Sequence, residues 1–171
     1  LVREQLDSEL DAWTGEMHGE LARLEPRAFL IAHPDHAWTQ LPARDAEPRG
    51  GVERSNRFPN DSFFENWTST EDAIVWDAEV VESGRFEAEI FYTCDGENTG
   101  STIELRLGDD ALRATVEKAF PTGLVGAEED RSPRKSSYTQ NWGRVSLGEI
   151  ELREGPGELT LRALEIPGEE V

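Results

Sequence analysis

Three aromatic residues that stand close to polar side chains offer the clearest chemistry in this sequence. Trp67 follows Asn66, and Tyr138 and Trp142 flank Asn141 in a second stretch without hydrophobic period. Sugar rings present apolar C–H faces that stack on indole and phenol rings, while their hydroxyl groups bind amide and carboxylate groups. The pattern predicts a carbohydrate-binding site at these four residues: Trp67, Tyr138, Asn141 and Trp142. Packing of the aromatic rings over the end of a core is the alternative that the sequence leaves open.

A run of carboxylates at Glu128, Glu129 and Asp130 is the candidate for a metal site. Calcium takes oxygen ligands of this kind, so the run predicts a structural calcium ion. The sequence has 36 acidic residues, and adjacent acids therefore arise often by chance. The alternative is that these three residues are solvent-exposed charges of a loop. No pair of acidic residues in the sequence is identified as the acid and base of a glycosidase.

The charge balance excludes two classes of partner. The formal net charge is -19, with 17 basic residues against 36 acids. Nucleic acids and anionic lipid surfaces are bound by clustered Lys and Arg, so we expect neither as a partner. No apolar run approaches the roughly 20 residues that span a bilayer, and no membrane-spanning segment is predicted.

The spacing of apolar residues predicts the secondary-structure elements that position the candidate site residues. From Leu1 to Leu24 apolar residues recur three and four positions apart, which predicts an amphipathic helix that packs on another surface. Residues 25–66 are rich in Pro and Gly but also carry many apolar residues, which is typical of an extended connector held along a protein surface.

From Ala73 onward the hydrophobic period is two except in residues 120–142, and this predicts that residues 67–171 form a mainly β fold, an antiparallel β-sandwich of the jelly-roll type. Trp76 and Cys94 fall in apolar phase and are predicted to lie in the core. The first two strands are expected to pair with each other, a hairpin is expected around Gly108, and a β-bulge is expected at Gly148. A turn is expected at residues 155–157. The strands are predicted at 74–80, 86–94, 103–107, 112–116, 145–152 and 159–166.

Several runs resemble the C-terminal accessory region of bacterial, planctomycete-type sulfatase-like proteins. They are TQLPARD (residues 39–45), NDSFFENWTSTEDAIVWDAEV (60–80), FYTC (91–94), GSTIELRLG (100–108) and LTLRALEIPG (159–168). The layout of the strands, with Gln140-Asn141-Trp142 before the penultimate one, is also similar to carbohydrate-binding modules of families 6 and 35. The resemblance to sulfatase-like proteins implies that Leu1 to Leu24 is the tail of an upstream sulfatase domain of the same secreted or periplasmic protein.

Sulfatases of this type carry their nucleophile in a Cys/Ser-x-Pro-x-Arg motif, and the sequence contains none. The resemblance therefore implies a non-catalytic module that binds a polysaccharide or sulfated glycan and targets the upstream sulfatase domain to it. Because the chain is so acidic, a sulfated ligand would need local arginines such as Arg131 and Arg134. The alternative function is a structural domain that buttresses the sulfatase or its oligomer.

Overall fold

The computed structural model describes residues 2–21, 27–57, 63–132 and 139–171, and within these ranges the protein is mainly β. The predicted fold class is confirmed: a helix and an extended connector precede a β-sandwich. The helix is α1 (Val2–Leu21). The strands are β1 (Phe29–Ile31), β2 (Glu47–Arg49), β3 (Glu53–Arg54), β4 (Phe64–Glu65), β5 (Ala73–Val80), β6 (Gly84–Tyr92), β7 (Thr102–Leu107), β8 (Asp110–Thr115), β9 (Leu124–Val125), β10 (Thr139–Gln140), β11 (Gly143–Leu152) and β12 (Gly155–Glu165).

The larger sheet has the strand order β1-β5-β12-β7-β8, and β2 also pairs with β5. The pairs β5–β12, β12–β7 and β7–β8 are antiparallel, whereas β1 runs parallel to β5. The predicted hairpin is confirmed, since β7 and β8 are joined through Gly108, whose positive φ of 59° suits glycine. Side chains alternate between the two faces of these strands, so every second residue points into the core.

The second sheet consists of β6 and β11, which pair antiparallel over their whole length. The register shifts between Ser146 and Gly148, where Gly148 has φ 98°, and the predicted β-bulge is thus confirmed. Ile150 and Leu152 of this sheet share one hydrophobic core with Trp76 and Leu159 of the larger sheet. The two sheets therefore face each other across that core.

Two sequence-based expectations about strand partners are wrong. The strands β5 and β6 were expected to pair, but β5 pairs with β12 while β6 pairs with β11, so the two lie in opposite sheets. The expected turn at residues 155–157 is instead the beginning of β12, because Gly155 already pairs with Val80. The first error arises because alternation identifies a strand without identifying its partner, and the second because Gly and Pro, which mark turns, also occur at the beginning of strands.

The connector packs against the sandwich. Its strands β1 and β2 pair with β5, and Ile31, Ala46 and Val52 are buried in the main core. Trp76 of β5 donates a 3.3 Å hydrogen bond from Nε1 to the carbonyl oxygen of Pro42. The apolar residues that distinguish this segment from a free linker are thus used to hold it on the sheet.

A buried carboxylate joins the connector to the loop before β5. Asp72 is 4% exposed; its Oδ1 accepts a hydrogen bond from the Gly51 amide (2.7 Å), and its Oδ2 accepts one from the Ser69 amide (3.1 Å). Gly50 has φ 81°, and a Cβ there would clash with the Asp72 side chain. Glycine is therefore required at position 50 for the connector to approach this carboxylate.

Helix α1 has no buried residue, and its large apolar side chains are open to solvent. The most exposed of them are Val2, Leu6, Leu10, Trp13 and Leu21. No helix within the described ranges is both long and apolar enough to cross a membrane. The helix therefore contributes nothing to the sandwich core.

Deletion of residues 1–21 is expected to leave the stability of the sandwich unchanged within about 0.5 kcal/mol, because the helix buries no side chain against it. Urea unfolding followed by far-ultraviolet circular dichroism measures the effect. A clear fall in the unfolding midpoint would contradict the expectation and would mean that the helix packs on the sandwich in solution.

Candidate functional site

Trp142 lies at one end of the sandwich, directly before β11. The next residue, Gly143, pairs with Tyr92 at the last position of β6. Trp142 is 38% exposed, and its ring packs on Phe63 with a centroid distance of 5.5 Å and an interplanar angle of 70°. Such an edge-to-face pair fixes the orientation of the indole ring. A partly open, oriented indole is suited to stack against a flat apolar ligand face.

The polar neighbours of Trp142 come from the same segment. Asn141, a member of the predicted carbohydrate site, is exposed beside it. The Oε1 atom of Gln140 is buried and has no hydrogen-bond partner among the described residues. Tyr138, the remaining predicted member of this loop, lies outside the described residues. The structure thus brings Asn141 and Trp142 together, with Phe63 as an additional aromatic neighbour.

Trp67 lies in a different environment from Trp142. It is half-buried and packs against both core clusters, one of which contains Tyr92 and Val145. Its carbonyl oxygen accepts a 3.0 Å hydrogen bond from the Val171 amide. Its indole N–H is buried without a hydrogen-bond partner among the described residues. This position agrees with the alternative in which Trp67 packs over the end of the core.

The three predicted calcium ligands do not converge. Glu128 and Glu129 form part of a short 3₁₀ turn (Ala127–Glu129) and are exposed, while Asp130 is half-buried. Within the described ranges, no group of three or more acidic, His or Cys side chains is arranged to hold a metal ion. The arrangement of these three residues therefore does not fit a carboxylate-bound calcium ion.

Cys94 is 5% exposed, and burial raises the pKa of its thiol. Its Sγ lies 3.3 Å from the carbonyl oxygen of Asp95, to which the thiol donates. A thiol kept protonated is a poor nucleophile, because the thiolate is the reactive form. The predicted burial of Cys94 is confirmed.

The outer face of the larger sheet carries a cluster of three arginines around one buried carboxylate. Glu104 on β7 is 0% exposed. Its Oε1 accepts hydrogen bonds from Arg106 Nε (3.1 Å), Arg162 Nε (3.0 Å) and Arg162 Nη2 (2.8 Å), and its Oε2 accepts one from Arg113 Nε (2.8 Å). These contacts, with that from Arg106 the largest, lower the pKa of Glu104 from 4.5 to about 2. We call these four residues the Glu104 cluster.

The strand register explains how the cluster forms. Glu104 pairs directly with Arg162 on β12 and with Arg113 on β8, while Arg106 follows two residues later on the same face of β7. Oppositely charged cross-strand pairs attract each other at this spacing. The inner face of the same strands carries the core residues Ile103 and Leu105, so alternation forces the charged set outward.

A second ion pair lies between the connector and this sheet. Arg49 on β2 donates through both terminal nitrogens to Glu158 on β12, at 2.9 and 2.6 Å, and this contact lowers the pKa of Glu158. Both side chains are about half exposed, so the pair is partly screened by water. It borders a shallow cavity of about 390 Å³. The lining is mostly charged: Arg44, Asp45, Ala46, Glu47, Arg49, Arg54, Val75, Asp77 and Glu158.

Sequence reasoning missed Phe63 and the Glu104 cluster. Phe63 was assigned to the connector, which gave no reason to place it against Trp142. The alternation of Glu104 with Arg106 was a usable signal for an outward-facing charged strand, but the contribution of Arg113 and Arg162 depends on register. Of the arginines named from the sequence for an anionic ligand, Arg131 is exposed and Arg134 lies outside the described residues.

Comparisons of the sequence with protein families and with curated proteins find no match.

Proposed function

We propose that this protein is a non-catalytic accessory β-sandwich of a secreted sulfatase-like protein and that it binds carbohydrate at the end of the sandwich bearing Trp142. The sequence resemblance supports the parent protein and the secreted location. The geometry around Trp142 supports the ligand class. In this proposal the module brings the catalytic domain of its parent to a polysaccharide.

The observation that carries the proposal is the orientation of Trp142 against Phe63. A fully buried tryptophan cannot meet a ligand, and a fully exposed one is not held in a fixed orientation. Trp142 is between these limits, at 38% exposed, and its edge-to-face contact with Phe63 restrains the ring. A restrained aromatic ring loses little conformational entropy when a sugar stacks on it. Asn141 adds an exposed amide for sugar hydroxyls.

Replacing Trp142 with alanine is expected to weaken glycan binding by about 1–3 kcal/mol, which is the usual loss for an aromatic anchor. Folding is expected to persist because the ring is only partly buried. A glycan array selects the oligosaccharide, calorimetric titration measures its affinity for both proteins, and thermal melting measures stability.

Trp38→Ala is the matched control, since Trp38 is 76% exposed and lies in the connector. It should leave both affinity and melting temperature unchanged. Unchanged glycan affinity in Trp142→Ala, combined with a large fall in melting temperature, would remove Trp142 from the binding site and assign it to the core.

The exposed apolar side chains of α1 favour a second function, that of a structural domain. Leu6, Leu10 and Trp13 are each about 60% exposed, and no residue of the helix is buried. A lone amphipathic helix is marginal in water, and packing of such a face normally supplies its stability. In this alternative the helix docks on the upstream sulfatase domain. A blank glycan array together with tight association between the module and that domain would favour it.

A further inference from the structure

We propose that the Glu104 cluster is an oxyanion-binding site, separate from the Trp142 end, which takes the sulfate or carboxylate groups of an acidic polysaccharide. Its elements are Glu104, Arg106, Arg113 and Arg162 on the outer face of the larger sheet. The assignment of the ligand as a polysaccharide rests on the proposed function. The capacity of the cluster to bind an oxyanion is independent of that function.

The buried carboxylate orients the three guanidinium groups while using only part of their donor capacity. A guanidinium has five N–H donors. Arg113 gives only Nε to Glu104, and its two terminal nitrogens make no hydrogen bond to another described residue. The side chains of Arg113 and Arg162 are 61% and 45% exposed, although Glu104 itself is fully buried. The cluster thus presents fixed, unsaturated donors to solvent.

The local charge is opposite to that of the whole chain. Two rows of outward-facing residues cross the sheet at the level of the cluster. The first row is Arg49, Ala73, Arg162, Glu104 and Arg113, and the second is Glu47, Val75, Thr160, Arg106 and Ala111. Arg49 is neutralised by its bidentate contact with Glu158, so the excess positive charge comes from the three arginines around the single carboxylate of Glu104, in a sequence where acids outnumber bases 36 to 17. An anion is therefore attracted at close range to this face.

The net negative charge of the chain favours a sparsely charged polymer over a dense polyanion such as nucleic acid. Duplex nucleic acid carries about one charge per 1.7 Å, and a chain of net charge -19 repels such a dense polyanion over its whole length. A polysaccharide with a sulfate or carboxylate on some of its sugars carries fewer charges, so one group can reach the arginines while the rest of the polymer is neutral. Planar guanidinium groups bind both oxyanions through paired hydrogen bonds.

The first experiment tests the cluster with inorganic sulfate alone. Side-chain Nε–H signals of the arginines are followed by nuclear magnetic resonance during titration of the full chain with sodium sulfate, against sodium chloride at equal ionic strength. Sulfate is expected to shift the signals of Arg106, Arg113 and Arg162. The signal of Arg85, which pairs with Glu149 on the other sheet, should stay in place. Equal shifts at all four arginines, or no shift, would overturn the site.

The second experiment tests the polymer with sparsely sulfated dextran, partly methyl-esterified polygalacturonate and unmodified dextran in calorimetric titrations. We expect the protein to bind an acidic polymer at the cluster and not to bind unmodified dextran there. Arg113→Gln should weaken it about tenfold or more, as for one charge-assisted hydrogen bond. Arg85→Gln is the matched control, because it removes the same charge from an exposed ion pair. Preference for one acidic polymer identifies the group as sulfate or carboxylate.

Equal weakening by Arg113→Gln and Arg85→Gln would overturn the proposal, since it would show that only net charge matters. Sulfate shifts at the cluster without binding of either acidic polymer would overturn the polysaccharide assignment and leave the carbohydrate site at Trp142 unaffected. Conversely, loss of neutral glycan binding in Trp142→Ala with intact sulfate shifts would show that the two sites act separately. The two proposals can thus fail independently.

Discussion

Replacing Trp76 with alanine is expected to lower the free energy of unfolding by about 3–5 kcal/mol. Trp76 is 6% exposed and lies in the main core with residues from both sheets and from the connector. The change leaves a large cavity there and also removes the hydrogen bond from Nε1 to the carbonyl oxygen of Pro42. Urea unfolding followed by far-ultraviolet circular dichroism measures the loss.

Trp76→Phe separates the two contributions, because it keeps most of the ring volume but lacks the N–H donor. The lost hydrogen bond should cost about 1 kcal/mol. Limited proteolysis of this variant should detect looser attachment of the connector around Pro42. If Trp76→Ala costs no more than Trp142→Ala, whose side chain is partly exposed, the core position of Trp76 is wrong.

Glu104→Gln is expected to remove about 3 kcal/mol of stability at neutral pH, from the difference between its ordinary pKa of 4.5 and the folded value of about 2. The folded pKa is depressed, so the contribution of this carboxylate is fully present above pH 4.5. It is lost as the pH falls through about 2, when the folded protein also binds the proton. The stability difference between the two proteins should therefore shrink between these pH values.

The measurement is urea unfolding of both proteins at a series of pH values, because only their difference isolates Glu104 from the other acids of the chain. Glu149→Gln is the matched control: Glu149 pairs with Arg85 at 3.4 Å, but both side chains are largely exposed. Exposed pairs contribute about 1 kcal/mol or less. A stability difference for Glu104→Gln that stays constant down to pH 2 would mean that its carboxylate has no special interaction in the folded state.

The strands could be predicted because each has one buried face. Alternation placed Trp76 and Cys94 in the core, and both are buried. The same alternation also fits several possible partners, so the expected pairing of β5 with β6 was wrong. Long-range pairing, such as that of β12 with both β5 and β7, depends on which inner faces pack together. A single sequence does not contain that information in a local pattern.

The candidate sites were predictable to different degrees for the same reason. Asn141 and Trp142 are adjacent in sequence, so their proximity required no knowledge of the fold. Trp67 has a similar polar neighbour, but its burial depends on the core end formed by Val171 and other distant residues. The Glu104 cluster joins residues 58 positions apart and arises only when three strands have the observed register.

The pairing of β5 on both edges has a consequence for how this protein avoids aggregation. One edge of β5 binds β12, and the other is shared by β1 and β2 from the connector. The strand is eight residues long and rich in β-branched and aromatic residues, and an unpaired edge of this kind recruits strands from other molecules. The connector therefore covers the edge of β5 and prevents it from pairing with strands of other molecules. A fragment that begins at residue 67 lacks both strands, and we expect its β5 edge to act as a template for self-association.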